Sequence, residues 1–166
     1  DKEMFEKAMR LASVAGLKIC LDLASYNIVA DNIKFFKSMI SEYVDILFAN
    51  EEEIRSLTGK TPEDGAREIS EICKLVVIKL GAEGSFCICE EGMVRIGVRP
   101  SKAIDTTGAG DLYAAGYIYG HMKGFSAEVC GKMGAILSGR IIELIGAKMD
   151  ESHWENLRRE ITALED

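Results

Sequence analysis

The strongest constraint on the fold of this chain is an alternation of two hydrophobic patterns. Lys18-Ile-Cys-Leu-Asp22, Asp45-Ile-Leu-Phe-Ala-Asn50 and Leu75-Val-Val-Ile-Lys79-Leu80 are short, continuously apolar runs that read as buried strands. Between them apolar residues recur three or four positions apart, as on one face of a helix. Asp1–Gly16 reads as a helix already under way, with Phe5, Met9 and Ala12 on one face and Gly16 as its stop. Asp31 offers an N-cap for a helix carrying Ile33, Phe36, Met39 and Ile40. Glu51–Leu57 reads as a short helix closed by Thr58-Gly59, and Thr61-Pro62-Glu-Asp opens another that runs to about Cys73. Strands buried on both faces and alternating with helices belong to a parallel sheet with helical cover, so the expected class is α/β, a three-layer, doubly wound, mainly parallel sheet.

After Gly81 the pattern changes. Ser85–Glu90 and Met93–Val98, separated by Glu91-Gly92, read as an antiparallel hairpin on the edge of that sheet. The rest reads as helical, through Leu112–Met122, Ala127–Ile145 and Trp154–Leu164. No fixed-period repeat or Pro-rich linker interrupts it, and 166 residues fit one domain.

The charge balance narrows the partners. Twenty Lys+Arg against 27 Asp+Glu give a net charge of −7, which argues against broad attraction to nucleic acid or an anionic membrane. No apolar run approaches the ~20 residues of a spanning helix. The five cysteines, Cys20, Cys73, Cys87, Cys89 and Cys130, are scattered through apolar segments in the manner of reduced thiols, which points to the cytoplasm. With only His121 and His153 beside them, and neither near a cysteine pair, no zinc site is expected.

The chemistry should lie in Ile104-Asp-Thr-Thr-Gly-Ala-Gly-Asp111-Leu-Tyr-Ala-Ala-Gly116. Gly108 and Gly110 let the backbone turn sharply and present N–H groups where a helix begins, a natural anion site. A carboxylate in that first turn would repel a phosphate unless it has a task. Accepting a proton from a hydroxyl that attacks the phosphoryl group is such a task for Asp111. A plain glycine turn with Asp111 as a helix-dipole residue is the duller alternative. A dinucleotide-binding turn fits less well, because this segment follows a polar stretch instead of the first strand.

The segment Asp105-Thr-Thr-Gly-Ala-Gly-Asp111 resembles the C-terminal signature of the PfkB-type, ribokinase-like carbohydrate and nucleoside kinases. Asn50-Glu-Glu-Glu53 resembles the family's Asn-x-x-Glu motif, and Lys79-Leu-Gly81-Ala-Glu-Gly84-Ser85 its Lys-x-Gly-x-x-Gly segment. The resemblance implies a ribokinase-like fold and ATP-dependent phosphoryl transfer to a hydroxyl of a sugar or nucleoside. Asp111 matches the catalytic base, and the N–H groups of Gly108, Ala109 and Gly110 the anion hole. Asn50 and Glu53 match residues that organise Mg²⁺ and the nucleotide phosphates, often through water. Taken alone they would read as a strand-end turn residue and a solvated helix face. Lys79, Gly81 and Gly84 match the nucleotide loop. Asp105 and the Thr107 carbonyl match a potassium-type cation site. Ala135 and Ser138, among the small residues Gly131, Gly134 and Gly139, match the helix that walls the adenine pocket, where tight helix packing is an equal explanation. Tyr113, Tyr117 and Tyr119 read as core or interface aromatics.

Two departures from the family pattern shape the expectation. Asp22-Leu-Ala-Ser-Tyr-Asn27 lacks the arginine of the sugar kinases' Asp-x-Asn-x-Arg segment, which is closer to adenosine-kinase-like members. The family's glycine pair and lid strands come from an N-terminal half that this sequence does not contain. Residues 1–166 are therefore expected to be the C-terminal nucleotide-binding and catalytic portion of such a kinase, nearly inactive alone, with dimerisation through the lid open to the full-length protein. The rivals are a nucleotide-binding regulatory module without catalysis and a dinucleotide-dependent oxidoreductase.

Overall fold

The structure, a computed structural model, describes residues 1–165. In chain order the elements are α1 (Lys2–Val14), β1 (Cys20–Asp22), α2 (Tyr26–Ala30), α3 (Ile33–Tyr43), β2 (Ile46–Asn50), α4 (Glu51–Thr58), α5 (Pro62–Ser70), β3 (Leu75–Lys79), a 3₁₀ turn (Gly81–Glu83), β4 (Ser85–Cys89), β5 (Gly92–Ile96), α6 (Ala109–Met122), α7 (Ala127–Ile141) and α8 (Glu151–Thr162). The strands form one mixed five-stranded sheet in the order β1-β2-β3-β4-β5. The chain divides into two compact units, Asp1–Leu80 with Cys87–Met93, and Gly81–Phe86 with the chain from Val94 on.

In the first unit β1, β2 and β3 run parallel, with Cys20 opposite Ile46 and Ile46 opposite Leu75. The connections between these neighbouring parallel strands are helical, α2 and α3 leading from β1 to β2 and α4 and α5 from β2 to β3. Among these helices α4 packs against α2, α3 and α5. The first four residues of both β2 and β3 are buried, which is why these strands are continuous apolar runs without a polar alternation. Phe5 of α1 meets Phe35 and Phe36 of α3 at ring-centroid distances of 5.8 and 6.2 Å, so α1 is held by aromatic edges.

In the second unit α6 and α7 pack closely. A Cβ at Gly116 would lie 2.7 Å from the Met133 carbonyl oxygen, and one at Gly134 would lie 2.8 Å from that of Tyr113. The glycines let the two backbones approach. α8 closes this unit by packing Leu157 and Trp154 against Ile141, Met149 and Leu112.

Several boundaries differ from the sequence reading for local reasons. Asp1 is the N-cap of α1, its carboxylate accepting from the Glu3 N–H. Asp31 ends the five-residue helix α2, and Asn32 is the N-cap of α3. A helix so short leaves little periodicity to read. The hairpin turn falls on Glu90-Glu91, one residue early, because Gly92 takes a φ of 104° and opens β5. α7 stops at Ile141, four residues short, where the Ile142 carbonyl turns to accept from the N–H groups of Ile104 and Asp105.

Candidate active site

The parallel strands of the first unit end in polar residues: Asp22 on β1, Asn50 on β2 and Lys79 on β3. Register places Asn50 beside Lys79. In open α/β sheets ligands settle outside the carboxyl ends of the strands. Asn50 is also the N-cap of α4, and with Glu53 it forms a full capping box. The Asn50 Oδ1 accepts from the Glu53 N–H at 2.9 Å, while the two Glu53 oxygens accept from the Asn50 N–H and Nδ2, each at 2.8 Å. Glu53 is only 4% exposed, which removes the alternative of a solvated helix face.

Lys79 pairs with Asp22 at 2.6 Å, both side chains mostly buried. Glu53 lies in the field of this pair. Burial raises its pKa, the Asn50 N–H and the Lys79 charge oppose that, and the Asp22 charge adds to it. Asp22 had no site role in the sequence reading. Its strand-end position was legible, but its pairing with Lys79 depends on register across β2.

In the second unit the Gly81–Gly84 segment has two left-handed glycines, with φ of 55° and 89°. A Cβ at Gly84 would lie 2.3 Å from the Ile96 carbonyl oxygen, so no other residue fits there. The next residue, Ser85, is buried, and its hydroxyl is 2.6 Å from the Tyr113 hydroxyl. This ties the segment to α6 two residues after Asp111.

Gly108, with φ 79°, is the N-cap of α6, and Asp111 sits exposed in the first turn. The Ala109 N–H donates to the Thr106 carbonyl at 3.1 Å. Gly110 and Asp111, next in the helix, have no intrahelical carbonyl to bond, as for any helix start. Asp105 Oδ1 accepts from the Thr107 N–H at 2.9 Å and the Thr107 hydroxyl at 2.7 Å, and Oδ2 accepts from the Gly146 N–H at 2.8 Å. These bonds hold the Asp105 carboxyl below the usual carboxylate range. Gly146, absent from the sequence reading, gives no local signal of this role.

Ala135 and Ser138 are half-buried on α7, and the Ser138 hydroxyl donates to the Ala135 carbonyl at 3.3 Å. The neighbouring glycines have packing reasons. A Cβ at Gly131 would strike Ile96 at 2.4 Å, and one at Gly139 would lie 2.8 Å from the Ser101 hydroxyl.

The solved structures that this chain resembles include kinases of ribokinase fold. The adenosine kinase from Sinorhizobium meliloti superposes with a TM-score of 0.88 at 31% identity, over 96% of this chain and 50% of that one. The model of the pfkB family carbohydrate kinases matches residues 1–153, and the chain belongs to that family. Among curated relatives, an uncharacterized sugar kinase of Archaeoglobus fulgidus is 37% identical over 106 residues, 62% of this chain and 42% of that protein. A nucleoside kinase of Methanocaldococcus jannaschii is 28% identical over 140 residues, 82% of this chain and 46% of that protein. The chain thus spans less than half the length of these curated relatives and about half of the solved neighbour. Among the described residues no helix is long and apolar enough to cross a membrane, and no cysteine is joined in a disulfide.

Proposed function

We propose that this chain supplies the nucleotide side and the catalytic base of an ATP-dependent kinase that phosphorylates a hydroxyl of a sugar or nucleoside. The observation that carries the reading is the polar edge of the first unit, where Asp22, Asn50 with Glu53, and Lys79 end three adjacent parallel strands, in a chain of pfkB membership. Asp111 takes the proton of the attacking hydroxyl, and the N–H groups of the Gly108–Gly110 turn stabilise charge developing on the phosphoryl group. The Ala109 N–H reaches that anion by sharing its proton with Thr106. Lys79 meets nucleotide phosphate as a held cation, Gly81 and Gly84 shape the loop beside it, and Ala135 and Ser138 line the base.

An all-oxygen donor set of Asp22, Asn50 and Glu53 suits Mg²⁺. Each Glu53 oxygen already accepts one hydrogen bond and keeps a lone pair, which favours holding the ion through water. When bound, Mg²⁺ neutralises phosphate charge. For a potassium-type cation the candidates remain the Thr107 carbonyl and the one Asp105 Oδ2 lone pair left beside the Gly146 N–H.

The relatives' names include both sugar and nucleoside kinases, so the acceptor is left as either class. Cysteines outside any disulfide fit the cytoplasm. The acidic balance disfavours nucleic acid as partner, and a homodimer of the complete protein is in keeping with the family resemblance.

The test is Asp111→Asn in the complete protein, assayed with ATP against a panel of sugars and nucleosides. The expected result is a kcat lower by about 10³-fold or more with the KM for ATP within about twofold, as for removal of a positioned base. Near-normal turnover would remove the mechanism. Calorimetric titration of Mg·ATP and of NAD into the 166-residue chain separates the rivals. Saturable ATP binding without catalysis by the complete protein would favour the regulatory module, and NAD binding alone the oxidoreductase.

A further inference from the structure

The glycine loop that delivers Asp111 does not stand on local turn chemistry alone. Ile104 and Asp105 donate their N–H groups to the Ile142 carbonyl at 2.7 and 3.2 Å. The Gly146 N–H returns a bond to Asp105 Oδ2 across 41 residues of sequence. A Cβ at Gly108 would lie 2.9 Å from the Ala147 Cβ, so the loop sits directly on the turn after α7. That turn is itself fixed, because Ile141 before it and Met149 after it are buried against Ala109 and Leu112. The two Asp105 oxygens divide the work: Oδ1 closes the local turn through Thr107, and Oδ2 fastens the loop to the turn after α7.

We propose that Asp105 is a positioning residue, a clasp whose bond to Gly146 sets the orientation of the Gly108–Asp111 helix start. The proposal rests on the reading of Asp111 as the base. A catalytic carboxylate and its anion-stabilising N–H groups act only when held within a fraction of an ångström of the reacting atoms, and a loop free to shift by about 1 Å loses about a hundredfold in rate. Charge-assisted bonds from a backbone N–H to a carboxylate are among the stronger restraints available at a surface.

Asn at position 105 separates the two halves of the clasp. Its single oxygen can still accept from Thr107, while its NH₂ group meets the Gly146 N–H as donor against donor. The first measurement is amide hydrogen exchange by NMR on the 166-residue chain, which makes no reference to catalysis. In Asp105→Asn the Gly146 amide should lose about tenfold in protection while the Thr107 amide stays within about threefold; Asp105→Ala should lose both. In the complete protein both variants should lower kcat by about 10- to 100-fold, with the KM for ATP within about twofold.

If Asp105→Asn keeps wild-type kcat while Asp105→Ala does not, the local turn is sufficient and the clasp is refuted. Exchange at Gly146 that is the same in wild type and Asp105→Asn refutes it as well. If Gly146 is protected in KCl but not in tetramethylammonium chloride, a bound cation and not the Asp105 bond by itself holds the turn, which also overturns the proposal. Should the exchange pattern appear as expected while the complete wild-type protein phosphorylates neither sugars nor nucleosides, the clasp is upheld as the restraint on the helix start and the kinase reading is what fails.

Discussion

Glu53 is pulled in two directions by its surroundings. As the N3 residue of α4 it completes a capping box and gains from the positive helix end, yet it is buried in the field of Asp22. Burial wins, and its pKa is raised. A carboxyl whose folded pKa lies above its unfolded value binds more protons in the native state, so its contribution to stability falls as pH rises from about 4.3 through the folded value. Glu53→Gln removes that titration and one acceptor, the Gln NH₂ facing the Asn50 Nδ2. Because Gln stands in for the protonated carboxyl, the substitution should leave stability within about 1 kcal/mol of wild type at low pH, and the variant should gain relative to wild type as pH rises to about 7. Urea midpoints of the two proteins across that range check this, and parallel curves would show that the opposing bonds and the Lys79 charge cancel the burial penalty. At this scale the sequence revealed residue types better than their partners. Asn-x-x-Glu at a strand end is legible both as a family motif and as a helix cap, but the burial of Glu53 and the Asp22–Lys79 bond follow from three-strand register.

The elements were legible where hydrophobic period decides them. β2 and β3, buried along their length, and α4 and α5, with N-caps at Asn50 and Thr61, fall within a few residues of the sequence reading. The sequence misled where tertiary bonds end an element, as at Ile142, or where an element is too short to show a period, as in α2. The α6–α7 crossing shows the same limit. Its glycines suit either a flat ligand or close helices, and the backbone approach at Gly116 and Gly134 accounts for two of them without a ligand. Gly134→Ala sets overpacking of about 1–3 kcal/mol against a helix-propensity gain of about 1 kcal/mol. The net expectation is destabilisation, larger for Gly116→Ala, whose Cβ would meet only backbone atoms at 2.7–2.9 Å. Gly124→Ala has open space and strains only its φ of 80°, at about 1 kcal/mol. Chemical denaturation of the three variants should rank Gly116→Ala as the least stable, and a neutral Gly116→Ala would mean that the helices can part without loss.

At the scale of the whole molecule, the chain carries about half of what its solved relatives contain, and its first unit shows unfinished surfaces. β1 is an edge strand, and an uncovered edge leaves N–H and C=O groups to pair with another chain. α1 has two apolar faces. Phe5, Met9 and Ala12 turn inward, while Met4, Leu11 and Val14 form a second stripe, with Leu11 56% and Val14 82% exposed. Leu17, leading into β1, is 61% exposed. Such stripes on an isolated chain favour association. The 166-residue chain alone should therefore sediment as a concentration-dependent mixture at tens of micromolar. Leu11→Lys with Val14→Lys should shift it toward monomer while changing the melting temperature by about 3 °C or less, since neither side chain is in the core. If the double variant associates as strongly as wild type, the second stripe of α1 is not the surface responsible, and the edge of β1 becomes the place to introduce the next charge.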